Sequence, residues 1–314
     1  MVGARPGAAA DLALLLALAT LWGASYSFIR IGVATIPPVT FIALRTAIAG
    51  GLLLAVLRWR GIALPRDAAA WRRFLFQAVL NSVLPFTLIA WGERSVEAGL
   101  AAILNATSPI FTFLITALVT RHEPVTGRKL FGVVAGLAGI GLIVGTQALS
   151  GLGHQLWAQL AIVAATVCYA GAAIFGKGFR GLDPMLPAAG SLLSGSLLLI
   201  PASLAFEHPW TLAPSGASVA ALLALSVFST ALALVIYFRL IVRLGSVGAT
   251  AQAYLRVPIG VAIGVAFLGE QLTATAWLGL GCVIAGVAAM TLPIPARRAR
   301  WRRAGGTADR RAAR

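Results

Sequence analysis

The chain has 314 residues, of which 59% are hydrophobic and 11% charged, with a formal net charge of +16 and a mean hydropathy of +0.91. This composition excludes a soluble globular domain and is typical of a helical protein that crosses the membrane many times. Both cysteines, Cys168 and Cys282, lie inside apolar runs, so neither a disulfide framework nor a zinc site is indicated.

Ten apolar runs follow one another along the chain, each close to the ~20 residues that a helical crossing requires. They cover residues 11–31, 38–57, 74–91, 98–119, 130–148, 157–176, 185–205, 217–238, 247–268 and 274–292. We therefore predict an all-α polytopic membrane protein with ten transmembrane helices. The first run continues past Ser25 without a cleavage site, which predicts a retained helix rather than a signal peptide.

Similar residues recur along the chain at a constant spacing of 147 positions. Trp22 corresponds to Tyr169, Arg30 to Lys177, Pro37 to Pro184, Glu123 to Glu270, Gly132 to Gly279, and Gly139 to Gly286. A unit of five crossings, an odd number, enters the membrane from opposite sides in its two copies. We predict two inverted five-helix repeats, over 1–149 and 150–293, and a basic tail over 294–314. Inverted repeats are typical of secondary transporters.

The basic residues predict the orientation of these spans. With the N-terminus inside, 21 of the 25 Lys and Arg residues fall in inside segments, Arg30 and Arg94 fall outside, and Arg45 and Arg256 lie within spans. This excess predicts that both termini are cytoplasmic. The tail from Arg297 onward is interpreted as a stop signal that contacts anionic lipid headgroups. Nucleic acid binding is not expected, because it requires interleaved aromatic residues or a folded platform.

Four segments match a known pattern: Leu21–Tyr26 leading to Arg30, Phe41–Arg45, Ala98–Pro109, and Leu268–Leu272 followed by Gly279 and Gly286. Together they resemble the EamA-like members of the drug/metabolite transporter superfamily, over about residues 11 to 292. The resemblance implies ten helices, a bacterial inner-membrane location, and export or uptake of small organic solutes. It also implies a cavity lined by helices one, three and four with six, eight and nine. The chain departs from the pattern at residues 120–124 and at Arg256.

Arg45 and Arg256 are the charged residues inside the predicted spans. A central arginine costs about 2.5–3.5 kcal/mol on insertion scales, so it normally faces the bundle interior and has a partner. Either could attract the carboxylate of a substrate, or Arg45 could pin helix two by donating to main-chain carbonyls. Glu93 also has two interpretations: an exposed loop charge, or a group that pairs with an arginine or carries a coupled proton.

Uncharged polar and aromatic residues within the spans complete a set of candidates for substrate binding. The set is Trp22, Tyr26, Asn81, Asn105, Tyr169, Gln252, Tyr254 and Arg256. A few polar groups on aromatic and apolar walls suit a small amphipathic solute. Each alone is also compatible with an interhelical hydrogen bond or a packing contact, worth about 1 kcal/mol.

Three prolines are assigned a structural or gating role, together with Arg45 and Glu93. Pro85, Pro109 and Pro258 are predicted to interrupt helices three, four and nine, because a proline removes an intrahelical hydrogen bond and bends the helix. Glycines in helices five and ten favour close helix contact, as in a scaffold or a dimer seam.

These patterns favour a secondary transporter that moves small organic metabolites, such as amino acids or related solutes, in the direction of efflux. A drug or nucleotide-sugar carrier, a channel and a non-transporting assembly factor remain alternatives. An enzyme is not expected, because the chain has neither a Gly-x-Ser-x-Gly nor a His-Glu-x-x-His motif. We expect no cofactor and no metal. The expected partners are a small-molecule substrate and the lipid bilayer, and the expected state is a monomer or homodimer.

Overall fold

The computed structural model describes residues 8–118, 126–149, 153–179, 181–237, 239–240 and 252–291. These residues form helices and the turns between them, and the described part of the chain contains no strand. The prediction of an all-α protein is therefore confirmed.

The first half begins with two uninterrupted helices, α1 (Ala8–Gly32) and α2 (Pro38–Trp59). The third predicted span is formed by α3 (Ala68–Ala78), a π turn at Val79–Val83 and α4 (Leu84–Gly92). The fourth is formed by α5 (Ala98–Asn105) and α6 (Ser108–Leu118), and the fifth by α7 (Gly127–Leu149).

The second half follows the same order. It consists of α8 (Gly153–Gly176), α9 (Met185–Phe206), α10 (Gly216–Ser226), α11 (Gln252–Leu268) and α12 (Ala274–Thr291). A π turn at Val227–Leu232 extends α10, and helical backbone continues over residues 233–237. Short 3-10 turns at Lys177–Phe179 and Pro209–Thr211 lie before and after α9.

Within the described residues, seven helices are long and apolar enough to cross a membrane. Two shorter apolar helices, Leu255–Leu268 and Ala274–Gly286, lie near the end of the chain. The described part of each of the ten predicted spans falls on a helix or a pair of helices. Residues 119, 238 and 292, which end the fourth, eighth and tenth spans, and 247–251, which begin the ninth, lie outside the described residues. The number of membrane crossings stays a prediction.

The three predicted proline breaks differ in outcome. Pro85 directly follows the π turn, where the Leu84 N–H donates to the oxygen of Val79. Pro109 is the second residue of α6, after a break at residues 106–107. Pro258 lies inside α11, which continues on both sides of it, so the expected interruption there is wrong. A helix can absorb a proline by losing hydrogen bonds while its neighbours hold the backbone in place.

Helix pairs drawn from the two halves form the body of the molecule. α2 packs along α9, α7 along α12, α1 along α11, and α4 along α8. Between α7 and α12 the contact is between glycines. A Cβ on Gly139 would lie 2.8 Å from the oxygen of Gly279, and a Cβ on Gly286 would lie 2.6 Å from the oxygen of Gly132. These two helices therefore approach as closely as their backbones permit.

Candidate substrate cavity

A cavity of about 980 Å³ lies between the helices of the two halves. Its wall includes residues from α1, α4, α5, α8 and α11, and also from α2 and α9. The resemblance implied a cavity lined without helices two and seven, so the contributions of Arg45 from α2 and Ser191 from α9 correct that expectation. The volume is within the range of sites for small molecules.

Arg45 is buried in the cavity wall. Its Nε donates to the hydroxyl of Thr230 at 3.0 Å, and its guanidinium carbon lies 3.8 Å from the centre of the Phe86 ring. The expected hydrogen bonds to main-chain carbonyls are not among the contacts of the described residues, which instead supply a hydroxyl and an aromatic face. A cation is stabilised over an aromatic ring. Arg45 is therefore held in one orientation at the cavity.

Arg256 lines the same cavity from α11. Its Nε is buried and has no hydrogen-bond partner among the described residues. The backbone of α11 is close here because Gly23 of α1 has no side chain: a Cβ on Gly23 would lie 3.0 Å from the oxygen of Arg256. The wall of the cavity thus carries two arginines, and among the described residues that line it there is no Asp or Glu.

Tyr26 and Asn105 meet inside the bundle. The amide nitrogen of Asn105 donates to the hydroxyl of Tyr26, and both residues line the cavity. The other amide atom of Asn105, Oδ1, is buried and accepts no hydrogen bond from the described residues. The contact therefore leaves one acceptor of Asn105 without a donor among the described residues.

Aromatic side chains cover other parts of the wall. Trp22 packs against Tyr237 with their ring centres 5.4 Å apart, and Tyr169 meets the edge of Phe86 at 6.4 Å. All four residues line the cavity. Trp22 and Tyr169, which correspond in the two halves of the sequence, therefore reach the same space.

Asn81 also lies on the cavity wall, on the π turn that follows α3. Residues 252 and 254 belong to the first turn of α11, but the side chains of Gln252 and Tyr254 lie outside the described part of the structure. The same holds for the side chain of Pro109.

Several lining residues were missed by sequence reasoning. Gln77, Ser229, Thr230 and Tyr237 all line the cavity. Ser229 and Thr230 lie on the second π turn, and Ser229 Oγ is buried with no partner in the described residues. A serine or threonine in an apolar run ordinarily bonds to its own helix. No signal in the sequence separates these residues from such cases.

One end of the cavity reaches the surface at the segment between α8 and α9. Gly181, Leu182 and Pro184 line it there, and Gly181 and Leu182 are exposed. This segment is held by Arg60, which forms an ion pair with Asp183 at 3.1 Å. The cavity therefore opens at the end of the bundle that carries Arg60 and Arg73.

The opposite end is crossed by hydrogen bonds between helices. The Glu207 carboxylate accepts from the backbone N–H of Val39 at 3.0 Å and of Thr40 at 2.6 Å. The Glu270 carboxylate accepts from the backbone N–H of Ala98 at 2.6 Å and of Gly99 at 2.8 Å. Each carboxylate satisfies free N–H groups at the start of a helix, where negative charge is favoured.

Glu93 lies at this same closed end. It follows α4, is 0% exposed, and accepts a hydrogen bond from Arg30 through its main-chain oxygen. The interpretation of Glu93 as an exposed loop charge is therefore wrong. The short loop folds inward because α1 covers it, which the local sequence does not reveal.

The model of the EamA-like transporter family matches the sequence twice, over residues 10–145 and 156–292. The chain belongs to the EamA-like transporter family. The resemblance seen in the sequence is thereby confirmed, and the protein is a member of a transporter family rather than of a family of enzymes.

Relatives of this family member cover most of its length. The uncharacterized inner membrane transporter YedA of Escherichia coli is 31% identical over 280 residues, which is 88% of this chain and 89% of YedA. A probable terminal-alkyne amino-acid exporter of Streptantibioticus cattleyicolor is 29% identical over 286 residues, 88% of this chain and 91% of that protein. The uncharacterized transporter YoaV of Bacillus subtilis is 24% identical over 275 residues, 87% of this chain and 94% of YoaV.

A solved structure, described only as the crystal structure of a protein, shares the fold. It aligns with a TM-score of 0.61 at 19% identity, over 90% of this chain and 98% of the other. At this identity the similarity concerns the fold alone.

Proposed function

We propose that this protein is a secondary carrier that moves amino acids or related small organic solutes across the cytoplasmic membrane, in the direction of efflux. The observation that carries the proposal is the cavity with Arg45 and Arg256 on its wall and no acidic residue among its described lining. Two cations on the wall of one cavity favour a solute that brings a carboxylate.

The polar atoms of the wall suit the two ends of a zwitterion. Arg256 lines the cavity, and its guanidinium can donate to a carboxylate once a side-chain rotation brings it to the solute; its Nε has no partner among the described residues. Asn105 offers an acceptor, Oδ1, that no described residue uses, and Trp22 and Tyr169 line the same cavity. An ammonium group can be bound by an amide oxygen and aromatic faces without an acidic partner. The name of the Streptantibioticus relative, an amino-acid exporter, supports the same class of substrate.

Alternating access between two inverted repeats is the mechanism that we infer. The two glycine contacts between α7 and α12 support it, because exchanging the halves converts the Gly139–Gly279 contact into the Gly286–Gly132 contact. The π turns also fall at matching places. Val83 is the last residue of the first π turn, and Thr230, which lies 147 positions further along, belongs to the second. The two family matches have a similar spacing.

The open and closed ends support one assignment of state. The cavity opens beside Arg60 and Arg73, in segments that the distribution of basic residues predicts to be cytoplasmic. The end closed by Glu207 and Glu270 is predicted to face outward. The protein is therefore proposed to be open to the inside here, ready to bind a solute from the cytoplasm.

A counterflow assay in proteoliposomes tests the carrier and its substrate class together. Vesicles loaded with unlabelled L-leucine, L-glutamate or L-lysine are diluted into a trace of the same labelled amino acid. We expect saturable accumulation of leucine or glutamate, and none of lysine, because the two arginines repel a net positive charge. A preference for lysine would contradict the substrate class. A flux that rises linearly with concentration and does not saturate would indicate a channel. If the protein moved none of the amino acids, nor a cationic dye or a nucleotide sugar, an assembly factor would be favoured.

A further inference from the structure

Glu93 differs from the other carboxylates at the closed end of the cavity. Glu207 and Glu270 each accept two backbone N–H groups. Glu93 is fully buried, and neither of its carboxylate oxygens receives a hydrogen bond from the described residues. Among the described residues, no group thus donates to the Glu93 carboxylate at hydrogen-bond distance, and the backbone of Arg30 favours the ionised form only weakly.

Charged groups approach Glu93 from several elements. Arg30 on α1 donates to the main-chain oxygen of Glu93. The charges of Arg45 on α2 and of Glu270 after α11 also act on the Glu93 carboxyl group. Glu97 lies four residues further along the chain. From α8, Ala158 and Ile162 pack against the neighbouring Gly92. Within the described residues no ion pair joins a cation to Glu93.

The balance of these effects favours the neutral carboxyl group. Removing a carboxylate from water without providing donors disfavours its charged form. Burial raises the pKa of Glu93 well above its usual range, Glu270 adds to the rise, and Arg30 and Arg45 oppose it without cancelling it. Burial also raises the pKa of Glu97, but that residue is only partly buried.

We propose that Glu93 is a proton-binding site of this carrier, and that closing the outer end takes up a proton on its carboxyl group. The proposal rests on the proposed function, because it requires an outer end that opens and closes. Opening this end separates α1 from the loop after α4 and lets water reach Glu93, which then ionises like an ordinary glutamate. Closing it buries the group again, and the proton comes from the outer solution.

The direction of the pH effect follows from linkage. The pKa is higher in the closed state than in the open state, so protonation favours closure. Closure is fully favoured below the open-state pKa and is lost as the pH rises through the closed-state pKa. Between these two values, the ratio of closed to open molecules changes by up to about tenfold per pH unit.

A cysteine reporter in the cavity measures the opening of the outer end. Ala173 lines the cavity and is exposed. The reporter chain therefore carries Ala173→Cys, with Cys168 and Cys282 replaced by serine. A membrane-impermeant maleimide labels the reporter cysteine. The maleimide is added only outside right-side-out vesicles and therefore reaches the reporter only through an open outer end. The same measurement is made on Glu93→Gln, a permanent mimic of the neutral form, and on the matched control Glu97→Gln. Dividing each labelling rate by that of Glu93→Gln removes the pH dependence of the thiol reaction itself.

We expect the labelling rate of the reporter chain, relative to that of Glu93→Gln, to rise several-fold with increasing pH. Glu97→Gln should follow the reporter chain. A ratio that stays constant with pH, or an equal loss of pH dependence in Glu97→Gln, overturns the proton site and leaves the carrier proposal intact. A reporter that is never labelled from outside in any variant overturns alternating access itself.

Discussion

The main-chain oxygen of Gly132 lies 2.6 Å from the point where a Cβ on Gly286 would stand. These residues belong to α7 and α12, the last predicted helix of each half. A side chain at Gly286 would separate the two helices. Because none of the described side chains of these helices lines the cavity, we interpret the pair as a support rather than as part of the binding surface.

We expect Gly286→Ala to lower the free energy of unfolding by about 1–3 kcal/mol, the usual cost of forcing an extra group into a packed contact. Thermal unfolding in detergent measures the effect. Gly141→Ala is the matched control, because a Cβ at Gly141 has nothing within 4 Å and the change should be neutral or slightly stabilising. Equal effects of the two substitutions would contradict the close contact.

We expect Glu207→Ala to destabilise the protein more than Asp67→Ala does. The Glu207 carboxylate accepts from two N–H groups and the hydroxyl of Thr40 at the start of α2, whereas the Asp67 carboxylate accepts one N–H, from Ala70, in an exposed turn. Losing Asp67 should cost about 1 kcal/mol, and losing Glu207 should cost about 2–3 kcal/mol. Chemical or thermal unfolding of the two variants under identical conditions provides the comparison.

We expect Arg256→Gln to abolish counterflow of zwitterionic and acidic solutes while expression and thermal stability stay near normal. Its Nε has no hydrogen-bond partner among the described residues, and the proposed function assigns its charge to the carboxylate of the solute. Arg256→Lys should retain part of the flux with a raised KM, because the charge is kept but the planar fork is lost. Unchanged flux in Arg256→Gln would remove Arg256 from the site.

We expect Arg45→Lys to impair the protein differently from Arg256→Lys. Arg45 contacts Thr230 and stacks on Phe86, so lysine at position 45 loses both the hydrogen bond and the planar stacking. A lower melting temperature together with reduced flux is the expected result. Full flux with unchanged melting would show that the orientation of Arg45 has no role.

The orientation of the chain can be tested at two arginines from different halves. We expect Arg73→Cys and Arg243→Cys, in a background without native cysteines, to be labelled from the same, cytoplasmic face of the membrane, because the distribution of basic residues places both inside. Labelling of the two residues from opposite faces would contradict two inverted five-helix repeats.

Much of the fold could be predicted from the sequence, because the apolar runs are long and the loops between them are short. The residues of α2 and α9 were predicted within two positions at each end. The π turns at Val79–Val83 and Val227–Leu232 were not predicted. Each turn carries two polar residues, Asn81 and Ser82 in the first and Ser229 and Thr230 in the second, but a shift of a few backbone hydrogen bonds by one residue leaves no mark in composition.

The candidate site was predicted only in part. Trp22, Tyr26, Asn81, Asn105, Tyr169 and Arg256 were proposed from the sequence, and all six line the cavity. Their contact with substrate stays a prediction. The inward placement of Glu93 was not predicted, because it depends on α1, which lies more than sixty positions away in the chain.

The sequence by itself determined that this protein is helical and apolar, that it resembles a transporter family, and that its halves are related. Those properties follow from local composition and from repetition, which can be read without coordinates. Only the tertiary structure decided which polar groups share the cavity and which end of it is closed. The reason is physical: the partner of a buried charge, such as Thr230 for Arg45, is set by how distant helices pack, and that packing leaves no period or spacing in the sequence.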